Sequence, residues 1–250
     1  MRTYKGKISV IMPAYNEGHH IFNNIKETQR TFNELGVKYE IIIVDDGSND
    51  NTLEEAQKAT QDNSSLVVVK NTKNHGKGHS LKNGFNYVTG DMVLFLDADL
   101  ELHPSQISIL YDIMELKEVD IVIGSKRHPD SRLEYAFHRR VVSAVYFFLI
   151  KILFGLPIRD TQTGIKLFKT EVLEKVFPKV LVKRYAYDLE LLVLAHHLGY
   201  KIGEAPVVLT FKEKLGSVNL SSIYYTWWDT MAIFYRMFIL KYYDKMIDEK

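Results

Sequence analysis

Along the first 125 residues, short runs of aliphatic and β-branched residues alternate with longer segments of helical periodicity. The runs at 7–12, 40–44, 66–69, 92–96 and 120–123 lack a clean polar alternation, which predicts strands buried on both faces. Helical windows fall at 18–35, 52–59, 77–87 and 104–115. This order predicts an α/β fold built on a doubly wound, mostly parallel sheet. Thr52 and Glu55 follow the Asp45-Asp46-Gly47-Ser48 turn with the spacing of a capping box. After residue 123 the pattern loosens into a basic stretch, an apolar helix at 141–156, a short strand at 165–168, a helix at 188–198 and an aromatic tail. With no repeat or Pro/Gly linker, one domain is expected over 1–215, including an apolar interface helix at about 135–156. Residues 216–250 are expected to form a C-terminal aromatic amphipathic helix, a membrane-interface or packing element.

Composition narrows the classes. Hydrophobic residues at 46% and charged residues at 25% exclude a disordered or collagenous chain. A net charge of +1 leaves no bulk attraction for nucleic acid, and none is expected as a partner. The absence of cysteine removes disulfides, thiol nucleophiles and cysteine-ligated zinc. No leader pattern opens the chain and no 18-residue stretch is uninterruptedly apolar, so a spanning helix is not expected.

In sheets of this kind ligands bind beyond the carboxyl ends of the strands. The residues there are Pro13-Ala-Tyr-Asn-Glu17, Asp45-Asp46-Gly47-Ser48, Asn74-His-Gly-Lys-Gly78 and Asp97-Ala-Asp99. Asp97 and Asp99 read either as turn residues ahead of the helix at Pro104 or as oxygen ligands of Mg²⁺ or Mn²⁺, with Glu101 as a third. Asp45 and Asp46 read either as a turn with a cap or as acceptors for a base or ribose. The His75-Gly-Lys-Gly78 loop fails both the P-loop and the G-x-G-x-x-G spacing, which leaves one lysine at a helix start suited to an anion. No G-x-S-x-G elbow is present, and His196 and His197 point to different helix faces.

Lys126, Arg127, Arg132, Arg139 and Arg140 concentrate five cations beside the apolar 141–156 segment. They read as a solvated basic loop or as a membrane-surface element with arginine forks for phosphate. Nine aromatics lie between Ile223 and Tyr243, while Thr226, Asp229, Thr230 and Arg236 share one narrow helical stripe. The wide face that remains suits lipid headgroups, or packing on the domain or a second copy.

The four strand-end motifs, with Gly124-Ser-Lys-Arg127, Arg159-Asp-Thr-Gln-Thr-Gly164 and Tyr185-Ala-Tyr-Asp-Leu-Glu190, resemble the inverting family-two glycosyltransferases of the GT-A fold. Within them the chain is similar to the polyprenyl-phosphate branch, nearer the dolichyl-phosphate β-glucosyltransferases than the mannose synthases. The resemblance covers roughly residues 7–215. It implies that Pro13, Ala14, Tyr15, Glu17, Asp45 or Asp46, Gly76 and Lys77 hold the nucleoside, and that Asp97 meets ribose or metal. Asp99 would hold the metal on the diphosphate. Glu101 stands where the mannose synthases carry glutamine. Asp160, Gln162 and Thr163 would border the sugar and acceptor, Arg127, Arg139 and Arg140 would take the acceptor phosphate, and Asp188 matches a position that supplies a base in many members.

The implied partners are UDP-glucose, with GDP-mannose as the alternative donor, and a polyprenyl phosphate at the cytoplasmic face of a membrane. Docking would be peripheral, or through a membrane partner subunit or a homodimer. A saccharide acceptor, a nucleotidyltransferase and a non-catalytic nucleotide-sugar-binding scaffold are the competing readings.

Overall fold

Strands that are apolar on both faces need a helical layer on each side. The computed structural model describes residues 4–60, 63–131, 137–183, 186–209 and 220–248. Its seven-stranded sheet has the order β3-β2-β1-β4-β6-β5-β7. The strands are β1 (Lys7–Ala14), β2 (Lys38–Asp45), β3 (Leu66–Lys70), β4 (Met92–Leu96), β5 (Ile121–Ser125), β6 (Ile165–Lys169) and β7 (Ile202–Pro206). All pair in parallel except β6, which runs antiparallel to both β4 and β5.

The two-residue period of the strands divides the core. Ile8, Val10, Met12, Ile41, Ile43, Leu94 and Leu96 pack in one layer with apolar residues of α1 (Ile21–Leu35), α2 (Thr52–Thr60) and α4 (Ile107–Lys117). Ile11, Ile42, Val44, Val93 and Phe95 face the other, with residues of α3 (Lys77–Phe85), α5 (Phe137–Phe154), α6 (Thr170–Val176) and α7 (Tyr187–His197). Phe95 lies with its ring centroid 4.7 Å from that of Phe168 in this second core. Truncating such a ring to alanine costs about 3–5 kcal/mol.

The five expected strands of the first half and the strand at 165–168 are present, while α6 and β7 were not foreseen. The capping box is not formed. The Thr52 hydroxyl instead donates to Asp50 and accepts from the Glu17 N–H (2.8 Å), and Glu55 pairs with Lys58. Thr52 thus ties the loop after β1 to the start of α2. The window at 104–115 divides into a 3₁₀ turn (Pro104–Gln106) and α4.

The aromatic tail forms α8 (Leu220–Phe234), a π-helical segment (Tyr235–Ile239) and α9 (Tyr242–Asp248). Its polar stripe turns inward: Thr230 is buried and meets Tyr146 of α5 at 3.2 Å, and Arg236 reaches α7. Trp227 and Trp228 stay 47% and 59% exposed, and Val145, Phe148 and Ile152 of α5 are exposed as well. Among the described residues no helix is long and apolar enough to cross a membrane.

Candidate active site

Four of the expected strand ends converge on one cleft of about 210 Å³. Pro13, Ala14, Tyr15 and Glu17 line it from β1, Asp46 from β2, Gly76 and Lys77 from the start of α3, and Asp97 and Asp99 from β4. The walls are fixed from behind. Asn24 of α1 donates to the carbonyl of Ala98 at 2.7 Å, which pins the peptide between the two aspartates. Asp46 accepts from the N–H groups of His75 (3.1 Å) and Gly76 (2.7 Å) and from Asn71 (2.8 Å), so its carboxylate shapes the lysine loop. Asp45 is buried and does not line the cleft; its Oδ1 accepts from Ser48 N–H, while Oδ2 has no partner.

Negative charge is crowded here. Lys77 forms an ion pair with Asp97. Desolvation acts to lower the lysine pKa, but Asp97, Asp188 and Asp99 outweigh it and hold the ammonium above its ordinary value. The Asp99 carboxyl is pushed up by desolvation and then by Asp97 and Glu101, against the N–H of Glu101 (3.0 Å) and the charge of Lys77. Glu17 is raised by desolvation and then by Asp99, with Asp50 and Asp97 adding to it. Carboxylates that resist ionisation beside one another suit a hard cation. Glu101 is turned aside to Lys126 at 3.1 Å. Among the described residues no group of three or more acidic or histidine side chains forms a ready-made metal cage. One or two carboxylates completed by substrate phosphates is the usual protein share of a Mg²⁺ site, and Asp97 and Asp99 fit that donor set.

The second half of the expected site is placed differently. Lys166 on β6 is 1% exposed and pairs with Asp188 of α7 at 2.6 Å, while also donating to the Thr163 carbonyl. Thr163 is buried with its hydroxyl unpartnered. Next to it, a Cβ at Gly164 would collide with the Asp97 carboxylate, so the loop before β6 lies directly against the metal-site candidates. Asp160 accepts from the N–H groups of Lys126 (3.0 Å) and Gln162 (3.1 Å), and the Gln162 side chain is exposed. Arg127 lies over the Phe147 ring of α5, 5.0 Å from its centroid. Arg139 and Arg140 stand in the first turn of α5 with side chains outside the described residues, as are Arg132 and Tyr185 altogether.

Sequence reasoning missed Asn24, Asn71 and Lys166, polar residues that the fold turns inward. It also missed a wider, open cleft of about 900 Å³ that meets the first at Asn74 and is walled by Lys73, His75, Lys183, Tyr225 and Arg236.

A mostly parallel sheet with a reversed β6 and an acidic cleft at its carboxyl edge matches the architecture of GT-A glycosyltransferases. Residues 9–177 match the glycosyl transferase family 2 profile, and the chain belongs to that family. It is 35% identical over 213 residues to a dolichyl-phosphate beta-glucosyltransferase of Dictyostelium discoideum, covering 80% of this chain and 65% of that protein. A glycosyltransferase AglD of Haloferax volcanii is 29% identical over 203 residues, covering 80% of this chain and 32% of that one. The chain therefore spans less than two thirds of the length of these relatives. Among solved structures, glucosyl-3-phosphoglycerate synthase of Mycobacterium tuberculosis with Mn²⁺, UDP and phosphoglyceric acid superposes with a TM-score of 0.71. It shares 21% identity over 92% of this chain and 78% of that one, and supports the GT-A fold.

Proposed function

We propose that the protein transfers a hexose, with UDP-glucose as the leading donor, to a polyprenyl phosphate and inverts the anomeric centre to give a β-linked lipid-phosphate sugar. The observation that carries this reading is the convergence of four strand ends on the cleft around Lys77, Asp97 and Asp99. Its likeness to dolichyl-phosphate beta-glucosyltransferases supports the acceptor class.

The residues of the chain divide the task. Pro13, Ala14, Tyr15 and Glu17 would flank the nucleoside, and the Asp46-braced loop would present Lys77 to the donor. Asp97 and Asp99 would hold Mg²⁺ or Mn²⁺, which supplies charge stabilisation to the departing diphosphate. A lipid monophosphate, with a second pKa of about 6, reaches the site already ionised at pH 7 and can attack the anomeric carbon without surrendering a proton. Asp188, held by Lys166, would orient the donor sugar instead of acting as a base. Thr163 would border the sugar, and Arg127, Arg139 and Arg140 would receive the acceptor phosphate. The exposed rings of α5 and α8 would seat the enzyme peripherally on the cytoplasmic face of a membrane, with residues 216–250 as the interface element.

A donor screen tests this reading. Purified protein with Mn²⁺ and a short polyprenyl phosphate is mixed with UDP-glucose, GDP-mannose, UDP-N-acetylglucosamine or UDP-galactose, and diphosphate release and glycolipid are followed. Lipid-dependent release from UDP-glucose, lost in Asp99→Ala, is expected. Turnover with GDP-mannose alone would reassign the donor, and no turnover with any lipid phosphate would sink the acceptor.

A further inference from the structure

Two residues after Asp188 on α7 stands Glu190, an acidic side chain with 0% exposure. A carboxylate in such a place has to be compensated, since an unpaired buried charge is strongly destabilising. Its Oε2 accepts the backbone N–H groups of Leu181 (2.8 Å) and Val182 (2.6 Å). Its Oε1 accepts from Arg236 Nη2 at 3.0 Å and from the Tyr243 hydroxyl, and Arg236 Nε donates to that same hydroxyl oxygen at 2.9 Å. Arg236 belongs to the π-helical segment and Tyr243 to α9. One carboxylate therefore joins the C-terminal aromatic segment to Leu181 and Val182, the residues just before Lys183.

The path continues to the cleft. The carbonyl of Lys183 accepts from the N–H of Gly78 at 3.1 Å. Gly78 is the second residue of α3, next to Lys77. A Cβ on Gly78 would stand 2.6 Å from Tyr187 Cγ and 3.0 Å from the Lys183 carbonyl oxygen. The start of α3 is thus packed against the segment that Glu190 holds and cannot shift alone.

We propose that Glu190 is a positioning residue that transmits the seating of the C-terminal aromatic segment, through residues 181–183 and Gly78, to the placement of Lys77 in the nucleotide cleft. What the cleft binds rests on the function proposed above; the mechanical link does not. The link consists of consecutive hydrogen bonds and close packing, and it predicts a coupling that can be measured at both of its ends.

The test uses the full chain and two variants, Arg236→Gln and the milder Tyr243→Phe, which removes one hydroxyl and keeps the ring. Amide exchange resolved by residue is expected to speed up about tenfold at Leu181, Val182 and Gly78 in Arg236→Gln, and less in Tyr243→Phe. Ile42 and Leu94 in the sheet should accelerate by a clearly smaller factor than Gly78, the one set by the loss of global stability. The dissociation constant for UDP with Mn²⁺ should rise in the same order. Unchanged exchange at Gly78 while Leu181 and Val182 loosen would break the chain and overturn the proposal. Acceleration of the sheet amides in step would reduce Glu190 to a purely structural anchor and overturn it as well. Should the wild-type protein bind neither UDP nor GDP, the donor reading of the cleft fails, and the exchange result alone decides the role of Glu190.

Discussion

Two groups of acidic side chains, one lining the cleft and one on α7, have opposite surroundings. Glu17, Asp97 and Asp99 lie on the open wall, where Lys77 pairs with one of them and the like charges raise the pKa values of Glu17 and Asp99. Asp188 and Glu190 lie on α7, both buried, and each meets a cation of the chain itself, Lys166 and Arg236. Surplus negative charge at an open edge marks a place for a cation from solution. Negative charge matched inside the core marks a joint of the scaffold.

The largest expected effect falls on the matched pair. Lys166→Met leaves Asp188 without its cation and should cost about 3–5 kcal/mol in urea unfolding. Adding Asp188→Asn to it should recover much of that loss, and a single variant that unfolds like wild type would erase the contrast. The open group should respond the other way round. Asp99→Ala should lower turnover by about 10²–10³-fold, in the range of other lost electrostatic stabilisers, with the urea midpoint held.

pH sharpens the same contrast. Because the folded-state pKa values of Glu17 and Asp99 are raised, their ionised forms are unfavourable in the folded protein above those values, and this penalty is relieved as pH falls through them. Metal-free Asp99→Asn should therefore melt slightly higher than wild type at pH 7, and the advantage should vanish at acid pH. Mn²⁺ affinity should fall with pH before it would for ordinary carboxylates, a titration calorimetry can follow. The smallest effect belongs to the surface: Trp228→Ala should weaken sedimentation with anionic vesicles by about tenfold, from the apolar area one ring removes from water, and leave unfolding unchanged.

The open group was legible in the sequence because a parallel sheet puts its chemistry at strand ends, and Asp97-Ala-Asp99 directly follows an apolar run. The matched group was legible only in part. Asp188 was singled out by resemblance, but Lys166, beside Phe168 on one face of Ile165–Lys169, carries no local sign of the carboxylate it meets. Glu190 shares its helical face with Ala186, Tyr187, Val193 and Leu194, which marks burial but not the partners that would compensate its charge. Their pairing depends on α7 and the C-terminal segment closing over them, a tertiary fact with no local signature. β7, Ile202–Pro206, escaped for a different reason: with Gly203, Glu204 and Pro206 it has little strand propensity and is held by its pairing with β5. In the aromatic tail the polar stripe serves the interior, where Thr230 and Arg236 find partners.

The reversal of β6 has a consequence for how the molecule can change. Every other strand at this rim delivers its loop on the way out of the sheet, whereas β6 receives the chain from residues 155–164 on the way in. That stretch begins where α5 ends, so the helix with exposed Val145, Phe148 and Ile152 leads straight into Thr163 and Gly164, beside Asp97. Lengthening or trimming it would reshape the side of the cleft next to Asp97 while the loop after β4, braced independently by Asn24, keeps its form. The fold thereby offers one adjustable doorway beside a fixed bench of carboxylates.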